Sequence, residues 1–323
     1  MEFINILRRG PSYLMGFFVL GLVACDGISG DKKSQYINSD APEILRWALP
    51  EADNVEVLSV EPNECLPSSP TGEQILGRLA FRSPFLLGGQ AARRGLTCQA
   101  CHGQGQVNDS FFVVGLSDTP GTADVTSFHF SDVLGDESFN PVPIPSLSDD
   151  IEGVDYTPDQ PDLDRFVRRL ITKEFTGPEP SPQVQENLLS YLRGLSDDHC
   201  ASPILEREAL LDFQIKVVQQ SFKTLMSGAV TDDNLDFMIA ALRVELGRLY
   251  NRFPRDSALK TELANLSQFL KTASQDKEAL KTVSDQWARL EDDLRAAYPR
   301  SLYHPQIIQD WTEARLQASS GGR

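Results

Sequence analysis

The sequence predicts a mainly α chain in two parts: a unit of short helices joined by long wrapping loops, then a C-terminal helical bundle. Three observations carry this expectation. From Pro203 onward, apolar residues recur at helical spacing in successive windows at about 204–227, 232–253, 255–274 and 276–297, with a shorter one from Pro305. The connections between those windows are short and polar, which implies antiparallel neighbours in a bundle. Upstream, isolated helical windows alternate with Gly-, Pro- and Asp-rich stretches, and the long stretch 103–162 carries only short strand-like pieces such as FFVVGL.

At the N-terminus, Arg8 and Arg9 precede an apolar run from Leu14 to Ala24. A membrane span needs about 20 apolar residues, so this run is too short to cross a bilayer but suits the core of a secretory signal. Residues 1–24 are therefore expected to be a signal peptide. Residues 25–70 read as a tether and N-terminal extension: polar at first, then an Ile44-Leu45-Trp47-Leu49 cluster, then the Pro-rich PNECLPSSPTG. A helix is expected from Thr71-Gly72-Glu73 through EQILGRLAFRS, with Ile75, Leu76, Leu79 and Ala80 on one face. Two more are expected at 162–176 and 181–196, the second with Leu188, Leu189, Leu192 and Leu195 apolar. In the bundle, Leu259, Leu263, Leu266 and Leu270 fall at helical spacing, as do Leu280, Val283, Trp287, Leu290 and Leu294.

The first unit contains LTCQACHG, residues 96–103. Cys-x-x-Cys alone can be zinc ligation, a redox dithiol or half of a larger metal site. A histidine directly after the second cysteine narrows this to attachment of a c-type haem. The two thiols add across the two haem vinyl groups, and one turn of helix matches their separation. Cys98 and Cys101 are thus expected to hold one covalent haem c, with His102 as the proximal iron ligand. A thioredoxin-type dithiol does not need the histidine, and a structural zinc site needs four ligands where no second Cys pair exists. The domain organisation that follows is a cytochrome c-type haem domain over 71–200 and a helical bundle domain over 201–323. A loop as long as 103–162 is uncommon unless functional, and wrapping a haem is such a function.

The segment Leu22-Val23-Ala24-Cys25 resembles the lipobox of bacterial lipoproteins, which implies lipidation of Cys25 and an anchor on the cell envelope facing the periplasm. A secretory signal with a chance cysteine leads to the same exported compartment, where c-type haem is attached. Of five cysteines, Cys65 and Cys200 then remain, flanking the haem unit. In an oxidising compartment they most simply pair; the alternative is two unpaired exported thiols.

Gly77-Arg78-Leu79-Ala80-Phe81, Gly95-Leu96-Thr97-Cys98 through His102-Gly103, and Phe139-Asn140-Pro141-Val142-Pro143-Ile144-Pro145-Ser146-Leu147 together resemble one haem domain of the bacterial di-haem cytochrome c peroxidase family. The resemblance covers roughly 73–196. It implies a helix with a Gly-Arg-x-x-Phe pattern ahead of the haem motif and a Pro-Ser-Leu loop packed against the haem. Family members carry two such domains, each with its own haem motif, whereas here the second half is a bundle without one.

Axial ligation sets haem potential over about 0.8 V. No methionine lies between the haem motif and Cys200. Met226 and Met238, on bundle helices beside Leu225 and Phe237, read as core filling. His129, in the wrapping loop, is the candidate sixth ligand against an open iron site; His199 reads as a cation at a helix end. Arg93 and Arg94 are solvated charge or a propionate partner. Pro143 and Pro145 stiffen a loop against the haem edge. The carboxylate runs Asp149–Glu152 and Glu291–Asp293 read as solvated surface. A net charge of −16 argues against nucleic acid and for solubility or for docking on a basic redox partner protein. The expected function is a membrane-anchored c-type cytochrome transferring electrons outside the cytoplasm. The alternatives are a peroxidase-like haem enzyme with an open or displaceable sixth site, and a haem-based sensor or assembly subunit whose bundle docks a partner.

Overall fold

The computed structural model describes residues 41–49, 53–59, 65–127, 135–148, 162–199, 207–273 and 276–320. The expected signal peptide (residues 1–24), Cys25, His129 and Cys200 lie outside them. All described residues belong to one compact unit spanning 37–323.

The first departure from expectation concerns the segment 25–70. A 3-10 turn at Glu43–Trp47 and helix α1 (Asn54–Ser59) are packed into the protein rather than strung out as a tether. Ala41 and Leu58 form a small apolar cluster with Leu302, Ile308 and Trp311 near the other end of the chain. Trp47 joins the main core, where its ring stacks on Phe111 at 6.3 Å. The reason is the apolar cluster itself, since Trp47 alone removes a large apolar surface from water.

Helix α2 (Gly72–Phe81) starts with a reciprocal cap: Gln74 N–H donates to Thr71 Oγ1 at 3.2 Å, and Thr71 N–H donates to Gln74 Oε1 at 2.9 Å. The pattern predicts one apolar face, yet every residue from Ile75 to Phe81 is buried. Helix α7 (Pro182–Gly194) crosses it at Gly77, where an added Cβ would sit 1.9 Å from the Asn187 carbonyl oxygen. Only glycine permits so close an approach of two backbones. The opposite side of α2 meets α8 (Arg207–Met226) and α9 (Asp232–Asn251).

Short helices α3 (Pro84–Leu87), α4 (Gly89–Arg94) and α5 (Cys98–Cys101) follow α2. Two-residue strands β1 (Thr122–Ala123) and β2 (Val142–Pro143) pair antiparallel, Thr122 opposite Pro143 and Ala123 opposite Val142. The helix expected over 162–176 is α6 (Leu163–Arg169) widened into a π-helical turn at Leu170–Glu174. There Phe175 N–H reaches back to Leu170 O and Gly177 N–H to Ile171 O, and Gly177 lies so tightly against the α3 backbone that a Cβ would meet Leu87 O at 2.7 Å. Docking on α3 thus overrides the regular helical continuation.

The bundle follows its pattern. Helices α8, α9, α10 (Ser257–Thr272) and α11 (Lys277–Ala296) pack each on the next, α11 returns to α8, and α12 (Pro305–Ser320) follows. The Leu259–Leu270 and Leu280–Leu294 seams are buried, with Trp287 at their centre. Met238 is fully buried and Met226 partly so, both as core filling.

The segments 71–200 and 201–323 are not separate packing units. One continuous cluster of buried apolar residues runs through both. A charged hub also joins them: buried Glu245 of α9 accepts from Arg82 Nε at 2.9 Å, lies 3.4 Å from Arg78 Nη1, and binds Arg248 one turn on. Arg248 continues to Glu43 at 2.8 Å and to the Arg82 carbonyl at 2.7 Å. Burial alone would raise the Glu245 pKa, but the guanidinium groups of Arg82, Arg248 and Arg78 outweigh it and hold the carboxyl well below the usual range.

Candidate haem-attachment site

The local fold around the motif is built from its flanking glycine and threonine. Gly95, left-handed at φ 74°, ends α4, and Leu96 N–H caps back to Ala91 O at 2.9 Å. Leu96 and Thr97 are buried, and extended Thr97 opens α5. Ala100 N–H donates to Thr97 O at 3.0 Å and His102 N–H to Cys98 O at 2.9 Å, closing a single turn. Cys98 and Cys101, three residues apart on that turn, share a side of it. Asn108 fastens the far end: its Nδ2 donates to Ala100 O at 2.8 Å, its N–H to Cys101 O at 3.0 Å, and its Oδ1 accepts from Ser110 N–H at 3.1 Å. Sequence reasoning did not single out Asn108; the signal is an Asn two residues before Ser in a turn-rich stretch, where Asx turns form.

The second support comes from the Phe139–Leu147 segment. Pro145 O lies 3.0 Å from His102 Nδ1. Ile144 N–H donates to Gly121 O at 3.0 Å, Leu147 N–H to Gly105 O at 2.7 Å, and the Ser148 hydroxyl to Asp197. Gly105 sits at φ 83°, and a Cβ there would meet Leu195 Cδ1 at 2.6 Å, so glycine is required where the segment is pinned. Pro145 therefore does more than stiffen a loop: its carbonyl orients the motif histidine.

This contact fixes the tautomer. A carbonyl oxygen only accepts, so the proton is on Nδ1, and the neutral ring leaves the Nε2 lone pair bare. Desolvation lowers the His102 pKa to about 4, against the opposing pull of Pro145, so the ring is neutral at ordinary pH. Burial pushes both Cys98 and Cys101 up to about 12, and the pair's mutual repulsion adds to Cys101. Both are free thiols. Among the described residues, no group of three or more His, Cys, Asp and Glu converges to hold an ion. Two thiols on one turn beside an imidazole whose Nε2 is left as the acceptor nitrogen are the donor set that a covalent haem would need.

The other singled-out residues fall as follows. Arg93 and Arg94 are exposed on the last turn of α4, and His199 is exposed on a 3-10 turn. Glu291 is buried against Arg295 at 3.4 Å, while Asp292 and Asp293 are exposed. A cleft of about 250 Å³ lies against Gln99, Ala100 and Gly103, the motif residues that carry no attaching group, and against Trp47. Cys65 is disulfide-bonded, and its carbonyl accepts from Ser196 N–H at 2.9 Å, four residues before position 200. Among the described residues, no helix is long and apolar enough to cross a membrane. Comparison with family models, curated proteins and solved structures gives no match to this chain.

Proposed function

We propose that the chain is a c-type cytochrome, transferring electrons through one covalent haem outside the cytoplasm and held at a bacterial membrane, facing the periplasm, by lipid on Cys25. The observation that carries this is the 3.0 Å contact of His102 Nδ1 with Pro145 O, beside two free thiols on one turn. A bound haem supplies a one-electron couple. Cys98 and Cys101 would hold its edge by thioether bonds, so that the cofactor stays in place in either oxidation state. His102 Nε2 would ligate from one side, and the Pro145 carbonyl fixes the ring plane and strengthens nitrogen donation, as such outer partners do. Asn108 and the Gly105–Leu147 pairing keep both supports rigid, which limits structural change during electron transfer. The disulfide at Cys65 we assign to Cys200, because Cys98 and Cys101 are free and Ser196 lies against Cys65.

His129, which lies outside the described residues, would supply a second iron ligand. Two histidines give a lower potential than histidine with methionine. Reduced and oxidised spectra of wild type and His129→Ala test the reading. Wild type should be low-spin, and the variant should turn high-spin and bind carbon monoxide. A high-spin wild type would replace electron transfer with the peroxidase-like reading, and an unchanged variant spectrum would remove His129.

A further inference from the structure

We infer that a basic redox protein docks on the acidic face formed by residues 109–127 and 135–142, which exposes Val114, Phe139 and Val142; this rests on the electron-transfer reading and adds where the partner binds. From Gly95 to Asp164 the sequence holds thirteen Asp and Glu and neither Lys nor Arg, which accounts for thirteen of the sixteen net negative charges. The rest of the chain is close to neutral. The asymmetry falls on the stretch that supports the haem motif.

The described part of that stretch is one hydrogen-bonded assembly. Gly121 N–H donates to Phe111 O at 3.0 Å, Asp124 N–H to Leu116 O at 2.7 Å, and β1 pairs with β2, which leads directly to Pro145 at His102. Asp109, Asp118, Asp136 and Glu137 are exposed on it. Buried Asp124 is used internally, its Oδ1 accepting from Thr126 N–H at 3.1 Å and Thr126 Oγ1 at 2.9 Å. The same assembly exposes Val114 at 72%, Phe139 at 58% and Val142 at 55%. Large apolar side chains left in water within a polar rim mark protein interfaces. Single-sign charge around them selects and steers a partner of the opposite sign. An anionic bilayer is repelled by this face, and electron transfer, which falls steeply with distance, rewards approach beside the haem turn.

The test uses the full-length protein with a strongly basic soluble cytochrome c as probe, and the same probe with its lysines succinylated as the charge-reversed control. Binding is followed by calorimetry across ionic strength. Wild type should bind the basic probe, lose affinity as salt rises, and ignore the succinylated form. Replacing Asp109→Asn, Asp118→Asn and Glu137→Gln together should weaken low-salt binding by about tenfold. A charge-matched bundle variant, Asp236→Asn, Glu262→Gln and Asp293→Asn, should stay within about twofold. Val114→Ser with Phe139→Ser should weaken binding at every salt concentration. Equal effects of the two charge variants, or none from either, overturn the assignment. Haem absorbance and circular dichroism of each variant are read in parallel. Loss of haem from the wild type sinks the electron-transfer reading, while the calorimetry still decides the docking face.

Discussion

Gly77→Ala probes the close backbone crossing of α2 and α7. The new Cβ would lie 1.9 Å from Asn187 O, 2.6 Å from its carbonyl carbon and 2.7 Å from Tyr191 Cβ. Reaching ordinary contact requires α2 and α7 to part by roughly 1.5 Å, a gap that forfeits much of the dispersion between them. The obstacle is backbone on both sides, so no rotamer change relieves it. Leu76 and Leu79 of α2, Leu188 and Leu192 of α7, and the Phe81–Tyr191 ring contact at 5.1 Å would all loosen. Overpacking costs about 1–3 kcal/mol, and this site belongs at the top of that range. Helix propensity returns about 1 kcal/mol, leaving a net loss of about 2 kcal/mol. Gly247→Ala is the matched control: it is an exposed α9 position with nothing within 4 Å of the added Cβ. There only the propensity gain of about 0.5–1 kcal/mol remains. Urea denaturation followed by far-ultraviolet circular dichroism should show midpoints moving in opposite directions. A Gly77→Ala protein as stable as wild type would refute the close helix crossing.

Further perturbations address the hub, the disulfide and the anchor. Glu245→Gln should destabilise by about 3–5 kcal/mol in the same assay, because it leaves Arg78 and Arg82 buried beside a neutral side chain. The folded-state pKa of Glu245 lies below its unfolded value of about 4.3, so its contribution is complete above that pH and is lost as pH falls. The wild-type advantage over Glu245→Gln should therefore narrow on acidification from pH 6 to 3; an advantage constant with pH would contradict the ionised hub. Non-reducing peptide mapping should recover a Cys65–Cys200 peptide, and Cys65→Ser should cost about 2–5 kcal/mol; recovery of Cys65 with any other partner would break that assignment. Cys25→Ser should abolish labelling by a fatty-acid probe and release the protein from membranes, whereas persistent labelling would place the lipid elsewhere.

What was legible in the sequence is what periodicity and short spacing encode. The bundle helices and their buried Leu, Val and Trp seams follow from the 3.6-residue repeat, and the turn that carries Cys98, Cys101 and His102 is marked by five adjacent residues. Interactions between distant segments leave no such trace. Glu245, in RVELGR, reads locally as a surface carboxylate paired with Arg248 three residues on. Only the fold brings Arg78 and Arg82 to it. Within 25–70, read as a tether, the Ile44–Leu49 cluster is too short to show a period and names no partner, yet Trp47 packs on Phe111 and Leu58 joins Trp311. The π-turn at 170–174 arises from docking on α3, which no local pattern announces. At the candidate site, Cys98, Cys101 and His102 stand out in the sequence, while the residues that brace their turn are only half legible. Pro145 stood out through its loop and not for its carbonyl, and Asn108 went unnoticed because one turn-forming Asn looks like another.

In a c-type cytochrome, Cys98 and Cys101 would hold a single haem by thioether bonds and His102 would ligate its iron. Intact-mass measurement of the purified protein, with haem staining of the same sample on a denaturing gel, tests this most directly. One covalent haem per wild-type chain is predicted, and none in a Cys98→Ser, Cys101→Ser double variant. A wild-type chain at its bare polypeptide mass, or a double variant that still carries covalent haem, would contradict it.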